Sequence, residues 1–291
     1  MAVSRTAEYV AMFRAVESAR PAAERLFDDP YAISFLDGKL ALGAKVAGLP
    51  GGQRLVCRYI DRNWPGSRPS AVIRTKLIDD AVTEAIKDGA EQLAILGAGY
   101  DTRGMRLPAA KAVPVFELDQ PPTQERKKER ILKRDGSLPA NVKYVPFDLL
   151  DEGVGAPLTL GGFVSGLESA YVWEGVLSYL TPEAVDQTLE WVASSGAPGS
   201  RIIFTYVDVS LFEENEKGEK EPPWSAQVAK VGEPFRYGLD PAELGGFLAE
   251  RGFDLAWDIS TAEALRQNSA IFGADDPPSF YRVAMAAISD R

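Results

Sequence analysis

The sequence predicts an α/β protein: a mostly parallel sheet with an antiparallel last strand, entered through a helical cap. Three observations carry this. Apolar residues recur at helical spacing through the first ninety positions, as with Val10, Phe13 and Val16. From residue 91 onward, short apolar runs alternate with helix-like stretches, the pattern of a parallel sheet covered on both faces. The first of those runs breaks into the glycine pair of Gly97-Ala98-Gly99. The chain accordingly divides into a cap over residues 1–90 and a sheet unit over 91–291, together one compact body.

Within the cap, Asp29-Pro30 reads as a helix cap followed by proline at the first helical position. Pro50-Gly51-Gly52 and Pro65-Gly66-Ser67 read as breaks between helices, and Val72 to Ala85 as a further amphipathic helix. Strands are expected at Gln92–Leu96, Ala112–Leu118, Val142–Pro146, Ser169–Trp173 and Arg201–Val207. Thr181-Pro182 caps the helix after the fourth of them, and Asp240-Pro241-Ala242-Glu243 begins a later one. Phe253–Ile259 and Tyr281–Ile288, joined by an irregular connection, are expected to pair antiparallel and close the sheet. The acidic stretch from Asp208 to Pro223 reads as a solvated loop placed where a lid would be.

Composition removes whole classes of chemistry. The 291 residues contain no histidine, which excludes Ser-His-Asp hydrolysis and any imidazole base. Cys57 is the single cysteine, so an intramolecular disulfide and the usual cysteine zinc sites are excluded as well. With 32 basic against 42 acidic residues the net charge is −10, a poor match for nucleic acid or an anionic membrane surface. No apolar run approaches the roughly 18 residues of a membrane span, and Glu8 and Glu17 interrupt the start where a signal peptide would be apolar. A cytoplasmic protein is expected.

The chemistry-bearing residues cluster at the ends of the expected strands. Gly97 and Gly99 let a backbone approach a nucleotide-like ligand at a helix start. Thr102 stands where the dinucleotide fingerprint requires a third glycine, which disfavours a nicotinamide cofactor and favours one without phosphates. Glu117 and Asp119 follow Gly99 by eighteen and twenty positions, where a carboxylate would accept ribose hydroxyls, and either fits. Asp148 lies in the loop after the third strand, and Glu174 at the carboxyl end of the fourth.

These residues, with Ala15–Pro21, Leu26–Ala32, Arg74-Thr75-Lys76, Asp79-Asp80, Leu96–Arg103, Phe116–Pro121, Phe147–Leu149 and Glu174–Pro182, resemble the leucine carboxyl methyltransferases. Within that family the likeness is to the bacterial small-molecule O-methyltransferase branch. The resemblance implies a Rossmann-like class I methyltransferase sheet and S-adenosylmethionine as cofactor. It implies that Arg74 pairs with the methionyl carboxylate, Gly97 and Gly99 line the cofactor, and Asp119 holds the ribose. Asp148 and Leu149 would flank the adenine, with Glu174 near the methionine amino end. The family's basic residue from the N-terminal helices falls to Arg20 on this reading, and Tyr179 and Tyr206 are expected to line the acceptor pocket. Without histidine, the expected acceptor is a carboxylate, already ionised at neutral pH, with a phenol as the alternative. A nicotinamide-dependent oxidoreductase and a non-catalytic binding protein on the same fold are the competing readings.

Overall fold

The computed structural model describes residues 5–148, 158–159, 161–212, 235–268 and 279–290. Leu149 and residues 213–223 of the expected lid lie outside these. Four helices precede the first strand: α1 (Arg5–Ser18), α2 (Gly38–Ala47), α3 (Gly52–Asn63) and α4 (Ser67–Asp88). The two predicted breaks fall between α2 and α3 and between α3 and α4. Seven strands follow: β1 (Gln92–Leu96), β2 (Val115–Asp119), β3 (Val142–Pro146), β4 (Ser169–Trp173), β5 (Arg201–Val207), β6 (Phe253–Ser260) and β7 (Tyr281–Ile288). The remaining helices described are α5 (Arg103–Arg106), α6 (Pro121–Asp135), α7 (Pro182–Ser195), α8 (Leu244–Ala249) and α9 (Thr261–Gln267).

The strands form one sheet in the order β3-β2-β1-β4-β5-β7-β6, with β1 to β5 parallel and β7 antiparallel to both its neighbours. Because β2 and β4 lie on opposite sides of β1, the winding reverses there, and a crevice opens beyond the carboxyl ends of these three strands. Side-chain alternation sorts the core into two layers. Leu96, Phe116, Tyr171, Trp173, Phe204 and Tyr206 face α7 and α8, whereas Leu93, Ile95, Val172, Ile203 and Val283 face Ile78, Val82 and Ala85 of α4. The carboxyl half of α4 thus belongs to the sheet layer while its amino half, through Ala71, packs with α1 to α3. No described helix is long and apolar enough to cross a membrane.

Three local readings are corrected. The second strand starts at Val115 because Ala110–Ala112 form a 3-10 turn. Asp240 accepts the N–H of Ala242 at 2.8 Å, closing a turn, and α8 begins one turn later than its proline suggested. The connection between β6 and β7 carries α9, started by a capping box in which Ser260 and Glu263 satisfy each other's backbone N–H.

Glu117 is a fourth correction. Its side chain is buried against Lys127 of α6 at 2.6 Å, away from the crevice that Asp119 faces, so it is not placed to hold a ribose. Burial pushes its carboxyl up to about 7, with Lys127 pulling in the opposite direction. The folded chain therefore holds this proton more tightly than the unfolded one, and stability from the site falls as pH rises from about 4.5 through 7. Glu117→Ala is expected to cost ~3–5 kcal/mol in urea unfolding by stranding the ammonium. Glu117→Leu with Lys127→Met should restore most of that loss or exceed the parent. Equal losses in the single and double variants would contradict this.

Candidate active site

Gly97 and Gly99, immediately after β1, have φ of +69° and +48°, which side chains other than glycine rarely adopt. A Cβ on Gly99 would meet the Ala7 side chain at 3.4 Å and Asp119 at 4.0 Å, ordinary contact distances, so backbone conformation rather than space requires glycine here. Asp119, at the end of β2, accepts the N–H of Gly99 and, at 2.6 Å, that of Gln120. Burial raises its pKa and these two backbone donors oppose the rise. Gln120 in turn donates to Asp148 at 2.9 Å, tying the loop after β3 to the tip of β2.

Glu174 stands just past β4 and joins the two halves of the structure. One oxygen accepts from Arg74 of α4 at 2.8 Å and the other from Arg103 of α5 at 2.8 Å. Burial works against its ionisation, but Arg103 and Arg74 outweigh it and hold the carboxyl down at about 2. Arg74 also lies over the ring of Tyr281, 5.0 Å from its centroid. Arg103 continues the network to Asp101 and, at 2.8 Å, to Asp79. Arg106 forks onto the two oxygens of Asp79 at 2.6 and 2.7 Å. Asp29 takes Arg14 at 2.8 Å and the Thr102 hydroxyl at 2.8 Å, while its other oxygen caps the N–H groups of Tyr31 and Ala32. Four arginines and four carboxylates, drawn from the cap and the sheet, therefore balance one another in a buried chain. That mutual pairing is the condition for burying so many charges.

Arg14, Arg74, Asp101 and Glu174 of this chain of charges line a cavity of about 390 Å³ at the winding reversal of the sheet. Arg74, Gly97, Gly99, Asp119, Asp148, Glu174 and Tyr179 all line it, bringing together seven of the residues singled out in the sequence. Two further expectations do not fit their positions. Arg20 pairs with Glu17 at 3.4 Å and does not line the cavity, whereas Arg14, earlier on the same chain segment, does. Tyr206 is buried in the opposite layer beside Phe204, with ring centroids 6.0 Å apart, because β5 turns that side chain away from the crevice. Among the lining residues that the sequence reading passed over are Arg14, Asp101 and the aromatic group Tyr9, Phe13 and Trp64. A buried arginine inside the apolar run Ala11-Met12-Phe13-Arg14-Ala15-Val16 was the available signal for the first.

The arrangement agrees with the relatives of this chain. The family model described as leucine carboxyl methyltransferase matches residues 7–193. The chain belongs to the leucine carboxyl methyltransferase family. A protein of Mycobacterium sp. (strain JLS), named a candidate S-adenosyl-L-methionine-dependent methyltransferase, is 30% identical over 94% of this chain and 91% of its own length. A Frankia alni protein with the same kind of name is 36% identical over 73% of this chain and 72% of its own. Among solved structures, a DUF574-family protein of Streptomyces avermitilis superposes with a TM-score of 0.60, at 16% identity and coverage of 94% and 99%. A candidate methyltransferase of Thermobifida fusca gives 0.57, at 18% identity and coverage of 94% and 96%. This family member thus has the α/β Rossmann-like methyltransferase fold expected from its sequence, with the cap and the sheet jointly enclosing the site.

Proposed function

We propose that the protein transfers a methyl group from S-adenosylmethionine to a carboxylate oxygen of a small molecule, forming a methyl ester. The sulfonium of the cofactor supplies the methyl group, and the protein supplies binding, orientation and a dry cavity. Asp119 presents its carboxylate for ribose hydroxyls, with Asp148 beside the adenine. Gly97 and Gly99 allow close approach, and Arg74 and Arg14 offer cations for the methionyl carboxylate. Glu174 stays ionised across the neutral range and orients the amino group. The residues fit this cofactor because the cavity lining combines arginines for a carboxylate, carboxylates for hydroxyl and amino groups, and a glycine turn that admits a close approach.

One observation carries the choice of a carboxylate. The acids lining the cavity are committed elsewhere: Glu174 to two arginines, Asp101 to Arg103, Asp119 to two backbone N–H groups and Asp148 to Gln120. A carboxyl held near 2 is too weak a base to deprotonate a phenol, and the chain has no histidine. An acceptor that arrives ionised needs only alignment and loss of water, so proximity provides the rate. The aromatic rings of Tyr9, Phe13 and Trp64 in the wall favour a phenolic acceptor as the second reading. Radiolabelled methyl transfer to panels of acids and phenols separates the two. The expected product releases methanol in mild alkali, whereas an alkali-stable ether would overturn the carboxylate reading.

Asp119→Ala is expected to weaken S-adenosylhomocysteine by ~1.5–3 kcal/mol, the scale of hydrogen bonds to a charged group. Calorimetry checks this, and unchanged affinity would remove Asp119 from the cofactor site.

A further inference from the structure

The cap contains a second cavity, about 830 Å³, between α1, α2 and α3 and next to Arg126 of α6. Tyr9, Phe13 and Trp64 line both this space and the cavity at the sheet, so the two adjoin along one aromatic boundary. The outer cavity is apolar on its inner side, through Met12, Val56 and Ile60, and its lining also includes Leu55 and Tyr59, which are 67% and 64% exposed. Tyr59 and Tyr9 flank Trp64, with ring centroids 6.1 and 6.4 Å from it, so a line of rings runs from the surface to the inner cavity. Beside this wall, Thr6 and Ser67 line the inner cavity with buried hydroxyls that have no hydrogen-bond partner. Buried hydroxyls are normally paired, and a bound oxygen would pair these.

Volume decides what the outer space is for. The inner cavity is at the low end of the ~300–1,000 Å³ typical of ligand sites, and an adenosyl group with its methionyl arm would take most of it. The acceptor's reacting oxygen fits beside that cofactor but a sizeable body does not. Charges in the outer lining are mixed, Arg5, Lys39 and Arg126 against Glu8 and Asp37, with Arg126 paired to Asp37, so apolar contact rather than net charge must recognise the occupant's body. An exposed apolar lining that leads inward to a reaction site is the mark of a ligand channel.

We propose that the outer cavity seats the apolar body of the methyl acceptor, whose oxygen reaches the cofactor past Tyr9 and Trp64. The substrate class is then an amphiphilic small molecule, an acid with an alkyl or aromatic body. This rests on the reading that the inner cavity holds the cofactor.

The test uses the full chain saturated with S-adenosylhomocysteine and titrated with acetate, hexanoate, decanoate and decanol. Each pair of methylenes buried should tighten binding about tenfold, and decanol should follow decanoate because the body dominates. Val56→Trp fills the outer cavity, and Leu55→Asp places a charge at an exposed position where folding is not at stake. Both should weaken decanoate and decanol by at least about tenfold while S-adenosylhomocysteine binds as in the parent. Affinity independent of chain length, or variants that bind decanoate normally, would overturn the proposal. Chain-length-dependent binding that both variants abolish, with no methyl ester formed from any acid, would leave the subsite standing and remove the carboxylate reading. Methyl esters formed equally from short and long acids would do the reverse.

Discussion

Arg103→Ala is expected to destabilise the protein by ~3–5 kcal/mol or more, enough to consume a large part of an ordinary domain's stability. Arg103 is 2% exposed and bonds Asp79, Asp101 and Glu174 at once. Its removal takes a partner from three carboxylates: Asp79 retains Arg106 and Glu174 retains Arg74, while buried Asp101 loses its arginine. Part of the cost should be recoverable with acid. Glu174 is held at about 2 against an ordinary value of 4.5, so in the parent its contribution is complete above pH 4.5 and fades as pH falls toward 2. In the variant that depression shrinks, and the gap in urea midpoint between parent and variant should narrow as pH falls below 4.5 toward 2. A gap that is small at pH 7, or constant with pH, would mean the network is not coupled through Arg103.

Arg74→Ala is expected to act on binding rather than folding. Arg74 lines the cavity at one end of the chain of charges, and Glu174 keeps its second arginine when it is lost. Truncating one partner of a buried, hydrogen-bonded charge pair costs ~2–5 kcal/mol, so S-adenosylhomocysteine should bind at least roughly 30-fold more weakly. Arg74→Lys should recover only part, because an ammonium cannot reproduce the planar fork or its stacking on Tyr281. Calorimetry with a thermal midpoint on each variant checks both statements. Parent-like affinity in both would make Arg74 a purely structural partner of Glu174.

The sheet was legible because each central strand is a short apolar run bounded by a helix signal, as in Gln92–Leu96 and Ser169–Trp173, both buried throughout. Proline and glycine marked the cap's helix breaks for an equally local reason, since they fix or free φ wherever they stand. Residues at strand ends, Gly97, Gly99, Asp119 and Glu174, were legible because topology alone brings those ends together. What failed depended on packing between distant segments. Strand alternation gives Glu117 and Asp119 the same face, but Lys127 on α6 draws Glu117 into the core while Asp119 stays at the rim. Alternation could not tell which face of β5 meets the crevice, and Tyr206 lies on the other one. Arg14 reaches the site only because Asp29 and the Tyr100 carbonyl hold it there, contacts 15 and 86 residues away in sequence. No local pattern announces such a partner.

The pH dependence of methyl transfer tests most directly the claim that the enzyme needs no proton acceptor. An acid acceptor with a pKa near ~4 is fully ionised by about pH 6, and Glu174 remains charged far below that. The rate at saturating cofactor should therefore be level from about pH 6 to 9. A rate that climbs about tenfold per pH unit between 7 and 9, as ionisation of a phenol near ~10 would impose, would contradict the account.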